Sequence, residues 1–207
     1  MRSLSLLLAA LSLPALADNA AYDRLAIQYD LPEQIHPGSF AVCSQHDCQA
    51  RTPIELDAAS WQTLTAFFTP TANTAAEERA QIARAVAHME HLVGPIANTA
   101  HDKAGDFNGF GEPGDQLDCI DESVNTTTYL TLFEQAGLLR WHRVRQRVSR
   151  GYFFFGGWPH FSAVVETTDA QPTRWVIDTW FRDNGVSADV LEVKTWQDGW
   201  SPEGFSM

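Results

Sequence analysis

Three side chains of this 207-residue chain are of the types, and in the order, that acyl-transfer chemistry uses: Cys119, His160 and Asp178. A thiol becomes a nucleophile when a neighbouring base takes its proton, and an imidazole serves as that base when a carboxylate fixes its tautomer and orientation. Cys119 stands in Gly114-Asp115-Gln116-Leu117-Asp118-Cys119-Ile120-Asp121-Glu122-Ser123, where a loop rich in Gly and Asp gives way to an apolar-periodic helix. The amides and dipole of a first helical turn favour a thiolate. Asp118, Asp121 and Glu122 oppose it, because nearby negative charge raises a thiol pKa. A reactive Cys119 therefore needs a base or a cation from elsewhere in the fold, and His160 as an imidazolium would supply that charge.

The flanking sequence assigns each of the three a place. Asp118 suits the N-cap, with Asp121 as an imperfect capping-box partner, and the apolar spacing predicts a helix over 119–135 stopped by Gly137. Residues 141–148 alternate His142, Val144, Gln146 and Val148 with Trp141, Arg143, Arg145 and Arg147, a strand with one basic face. That face would either guide an anionic substrate or charge an edge strand against pairing with another sheet. An aromatic and glycine turn over 153–158 leads to a strand that starts at His160, and a polar hairpin over 167–173 returns the chain through Trp175-Val176-Ile177-Asp178-Thr179-Trp180. Asp178 is alone among large apolar residues, and an unpaired buried charge is costly. His160 would partner it, with Arg174 and Arg182 as the competing partners. Asp183-Asn184-Gly185 forms a turn, and 190–196 reads as a last strand.

Before residue 97 the pattern predicts helices over 20–30 and 58–68, and one that begins at the capping box Thr74-Ala75-Ala76-Glu77 and ends at Gly94-Pro95. His88 and His91 share a helical face but lack a third metal ligand at matching spacing. Residues 97–117 form a long Gly/Asp/Asn-rich loop. Its oxygens, with Asp106, Asn108, Asp115 and Asp118 foremost and Asp102 beside them, would suit calcium without following the twelve-residue calcium-loop spacing.

The N-terminus reads as a secretory signal: Arg2, an apolar run from Leu4 to Leu13, then Ala15-Leu16-Ala17, so that 1–17 would be removed and 18–207 left as one domain. An exported, periplasmic protein with no integral membrane segment after cleavage is the expectation. In an oxidising compartment Cys43 and Cys48 are the natural disulfide and Cys119 is left over, either buried and inert or kept for chemistry. The alternative for Cys43, His46 and Cys48, a metal clasp, lacks a fourth local ligand. A net charge of -12 opposes nucleic acid as a partner. Nothing in the sequence specifies an oligomeric state.

With Cys119 at a helix start, the Gly137-Leu138 step, the strand His160-Phe161-Ser162-Ala163-Val164 and Val176-Ile177-Asp178-Thr179-Trp180 in this order, the chain resembles the transglutaminase-like superfamily of papain-type cysteine enzymes. Within it the likeness is to exported bacterial transglutaminase-like cysteine proteinases, over about a third of the chain. The resemblance implies an α+β fold with a catalytic core over about 97–196, N-terminal helices and a Cys-bearing central helix packed on an antiparallel sheet. It implies attack of Cys119 on an amide carbonyl, a thioester intermediate, and release by water or by an amine. Peptidase or amidase action on a protein or cell-wall peptide is the first expectation; a transamidating enzyme and a non-catalytic binding or structural module are the alternatives. The oxyanion would be held by the Cys119 amide with Gln116 or the Trp158 indole. No cofactor is required on this reading, and calcium is the one ion it admits.

Overall fold

The computed structural model describes residues 20–105, 116–151 and 159–205. The proposed signal segment, Asp106, Asn108, Asp115 and Trp158 lie outside the described residues. The chain is α+β. Helix α1 (Ala20–Tyr29) precedes a two-stranded antiparallel ribbon, β1 (Phe40–Ser44) and β2 (Ala50–Ile54), and then α2 (Ala58–Thr65) with a 3-10 turn over Ala66–Phe68. Helices α3 (Ala75–Ala97) and α4 (Cys119–Gln135) follow. A four-stranded antiparallel sheet comes next, β3 (His142–Arg150), β4 (His160–Thr167), β5 (Arg174–Asp178) and β6 (Asp189–Glu192) in that spatial order, and the short α5 (Val193–Gln197) follows it.

Helix α4 is the centre of the packing. Every residue from Asp121 to Phe133 is buried, although many are polar. The hydroxyls are satisfied inside the helix: Thr127, Thr128 and Thr131 each donate to the carbonyl four residues earlier. The helix lies between the β1–β2 ribbon, α1 and α3 on one side and the sheet on the other, within one continuous apolar core that includes Tyr22, Phe40, Ile82, Leu130, Phe133 and Ile177. A smaller cluster, Val164, Val176, Val193 and Trp196, covers the opposite face of the sheet under α5.

Two expected element boundaries change. Gly94-Pro95 does not end α3, which runs on to Ala97 and stops at Asn98, a left-handed residue with φ 59°. In the last turn Pro95 forfeits only the bond its amide would have made to the carbonyl four residues back. Gly94 serves close approach instead, since a Cβ there would stand 3.0 Å from Ala100 Cα. The second change is at 190–196, where the strand stops at Glu192 and the chain turns into α5. Val193 and Trp196, three residues apart, both have to reach the sheet's second cluster, and helical spacing brings them to it together. Strand β3 is an edge strand, as its charge pattern allowed. Among the described residues no helix is long and apolar enough to cross a membrane.

Candidate active site

Cys119 opens α4, and the local sequence explains why the helix starts there. Asp118 Oδ1 accepts from the amides of Ile120 (2.9 Å) and Asp121 (2.8 Å), and Asp121 Oδ2 accepts from the Asp118 amide (3.4 Å), a complete reciprocal capping box. The same two carboxylates also bind a second segment. Cys43 and Cys48 are bridged, and between them Gln45, His46, Asp47 and Cys48 all take left-handed φ values of 66°, 58°, 49° and 54°. In such a tight turn successive backbone amides can point together into one anion-binding concavity. The His46 and Cys48 amides donate to Asp121 (both 2.8 Å) and that of Asp47 to Asp118 (2.9 Å). Asn125 completes the joint by accepting from the Cys43 amide (2.6 Å) and donating to the Cys43 carbonyl (2.9 Å). The disulfide loop is therefore part of the support of the thiol's helix, and the metal clasp is set aside because Cys43 and Cys48 are spent on each other.

His160 and Asp178 meet across the sheet. His160 Nε2 donates to Asp178 Oδ2 at 2.8 Å, with side chains only 4% and 1% exposed. Trp196 Nε1 donates to the same oxygen at 2.6 Å. Trp180, Phe181 and Trp196 surround the imidazole at ring-centroid distances of 4.8, 5.2 and 5.3 Å. The competing arginines are engaged elsewhere: Arg182 pairs with Asp189 (2.6 Å), and Arg174 reaches the Gln146 carbonyl. With its proton on Nε2 for Asp178, the ring carries its lone pair on Nδ1, which is buried and, among the described residues, without a hydrogen-bond partner.

The thiol sits beside this pair but is not bonded to the ring. Cys119 Sγ contacts the Pro159 carbonyl at 3.7 Å, and the Phe161 amide bonds the sulfur, so the residues on either side of His160 both touch it. Burial pushes the Cys119 thiol up to about 12, and Asp118 and Asp178 add to the effect while the Phe161 amide and Arg147 oppose it. At neutral pH Cys119 is a thiol unless His160 takes its proton. Helix α4 is stitched to the end of β5 by Thr179, whose hydroxyl donates to Glu122 and lies 3.3 Å from Thr126 Oγ1. These bonds hold the segments of Cys119 and Asp178 in fixed relation.

No family model, curated protein or solved structure matches this chain.

The other sequence candidates fall into place around the site. Gln116 is turned to its own loop, accepting from the Lys103 amide (2.9 Å) and donating to the His101 carbonyl (3.2 Å). Asp118 is occupied by backbone amides, and Asp102 accepts from the Leu117 amide at 2.6 Å. Among the described residues no group of three His, Cys, Asp or Glu side chains could hold a metal ion. His88 and His91 stack at 6.2 Å, and His88 lies 3.3 Å from Thr63 Oγ1.

The sequence places Trp196 only at the end of a last strand, with no sign of its role as the second donor to Asp178. Nor does it mark Arg150, which pairs across the ladder with His160 and donates to the carbonyls of Trp196 and Trp200, fixing α5 over the site. Neither carries a local signal, because both act through hydrogen bonds to partners 18 to 50 residues away. A further cluster, Glu90, Glu122 and Asp102, is buried behind the site. Burial raises Glu90 to about 8, and Glu122 is driven upward by burial and by Glu90 and Asp102.

Proposed function

We propose that this protein is an exported cysteine-dependent acyl-transfer enzyme of transglutaminase-like type, a peptidase or amidase. The observation that carries the reading is the His160–Asp178 pair, whose unbonded Nδ1 belongs to a residue flanked on both sides by contacts to the Cys119 sulfur. His160 takes the Cys119 proton on Nδ1 as the sulfur attacks the amide carbonyl. Asp178 holds the Nε2–H tautomer and stabilises the imidazolium. The imidazolium then protonates the leaving amine, and water, deprotonated by the same ring, cleaves the thioester. The amides of Ile120, Asp121 and Glu122 are committed to Asp118, which leaves the Cys119 amide as the first-turn donor to the oxyanion. The order of Cys, helix stop, His strand and Asp-Thr-Trp strand supports the family resemblance, and the Cys43–Cys48 bridge is compatible with export.

The test is alkylation of purified protein with iodoacetamide across pH, with mass mapping, on wild type and His160→Ala. Cys119 should label at pH 7 at least about tenfold faster in the wild type, and His160→Ala should label only under alkaline conditions, as a buried thiol without a base does. Equal rates in the two proteins would remove the enzyme and favour a binding module on the same fold.

A further inference from the structure

The alternation along β3 places Arg143, Arg145 and Arg147 on one face, but the ladder does not keep that alternation. Arg145 pairs with Val164 and Val148 pairs with Ser162, so β3 holds one residue more than β4 between these rungs. That bulge turns Arg147 to the opposite face from Arg143 and Arg145. The outer two arginines meet carboxylates, Arg143 with Glu134 at 3.8 Å and Arg145 with Glu166 at 2.9 Å. Arg147 instead donates to Ser123 Oγ (3.1 Å), one turn after Cys119 on α4, and to the Tyr29 hydroxyl. Its guanidinium lies 4.7 Å from the Phe161 ring and 5.1 Å from the Tyr29 ring, and its charge acts on the thiol.

Among the described residues Arg147 has no carboxylate partner. The nearby Asp118 directs its oxygens at the amides of Asp47, Ile120 and Asp121. A half-buried cation held by a hydroxyl, a phenol and two rings, in a chain of net charge -12, keeps its charge available to an incoming group. We infer that Arg147 forms a carboxylate-recognition subsite beside Cys119, so that the group acylated onto the thiol comes from an acidic peptide or amide whose carboxylate lies close to the scissile bond. This rests on the proposed acyl-transfer role of Cys119. Arg147 is a specificity residue on this account, and the bulge is the device that delivers it.

Two alkylating reagents of similar size separate the subsite from the thiol's own reactivity. Iodoacetate carries a carboxylate and iodoacetamide does not, and the ratio of their rates at Cys119 cancels changes in thiolate fraction. The wild-type ratio should exceed that of a small free thiol by on the order of tenfold. It should fall to the free-thiol value in Arg147→Gln, and persist in Arg147→Lys and in Arg145→Gln on the other face. A wild-type ratio no higher than that of a free thiol, or a ratio unchanged in Arg147→Gln, overturns the subsite. So does a drop in Arg145→Gln as large as that in Arg147→Gln. If His160→Ala slows both reagents while the ratio ignores Arg147, the acyl-transfer reading stands and the subsite falls. If His160→Ala changes neither rate but Arg147→Gln still lowers the ratio, the subsite stands without the enzyme.

Discussion

Trp196 Nε1 and His160 Nε2 donate to one and the same oxygen, Oδ2 of Asp178, at 2.6 and 2.8 Å. The indole holds the carboxylate in place from α5, on the face of the sheet that His160 and Asp178 share, so the orientation of the imidazole depends on a residue of α5. Trp196→Phe keeps most of the buried ring and removes the donor. Hydrogen bonds to charged groups contribute about 2 kcal/mol. The variant should lose stability by roughly that amount in urea unfolding, and Cys119 alkylation at pH 7 should slow.

Stability should fall as pH rises through the neutral range. Burial raises Glu90 from 4.5 to about 8, so between these values the folded protein keeps a proton that the unfolded chain has released. The stabilisation is complete below the unfolded value, declines as pH approaches 8 and is gone above it. Each such group contributes a slope on the order of 1 kcal/mol per pH unit. Urea midpoints at a series of pH values should show the decline, and Glu90→Gln should flatten it. A midpoint independent of pH in the wild type would contradict the burial of this group as an acid.

The disulfide loop should matter to the thiol as well as to stability. Asp121 accepts three backbone amides, those of His46, Cys48 and Asp118, and burial with Asp118 beside it raises its pKa. Asp121→Ala leaves the buried Cys48 amide and the half-buried amides of His46 and Asp118 unpaired and should cost about 3 kcal/mol. Replacing both Cys43 and Cys48 by serine frees a short loop and should cost about 2 kcal/mol. In both variants, Cys119 alkylation in native buffer should become less dependent on His160, which mass mapping would report.

Much of the local structure was legible because it follows from short-range rules. The Asp118 cap, the Gly137 stop at φ 70°, the His160 strand and the hairpin to Asp178 were all set by residues within one turn or one ladder rung of each other. The errors came where contacts across the fold decided the outcome. Gly94 looked like a stop but serves the approach of Ala100, and 190–196 read as strand because the need to bring Trp196 over Asp178 is invisible locally. The bulge at Arg147 was hidden for the same reason, since a period-two reading has no means of counting an extra residue against a partner strand not yet in view.

Helix α4 has no solvent face between Asp121 and Phe133. Hydrogen exchange at its central amides therefore requires the surrounding ribbon, helices and sheet to separate together, and these amides should be among the slowest in the molecule. Its first turn is different, because there the amides are held by side-chain carboxylates that also bind the six-residue disulfide loop, and Cys119 and Ile120 are only half-buried. Cys119 thus lies where a helix buried on every side gives way to a half-buried first turn, and a reactant can reach it there without separating the core.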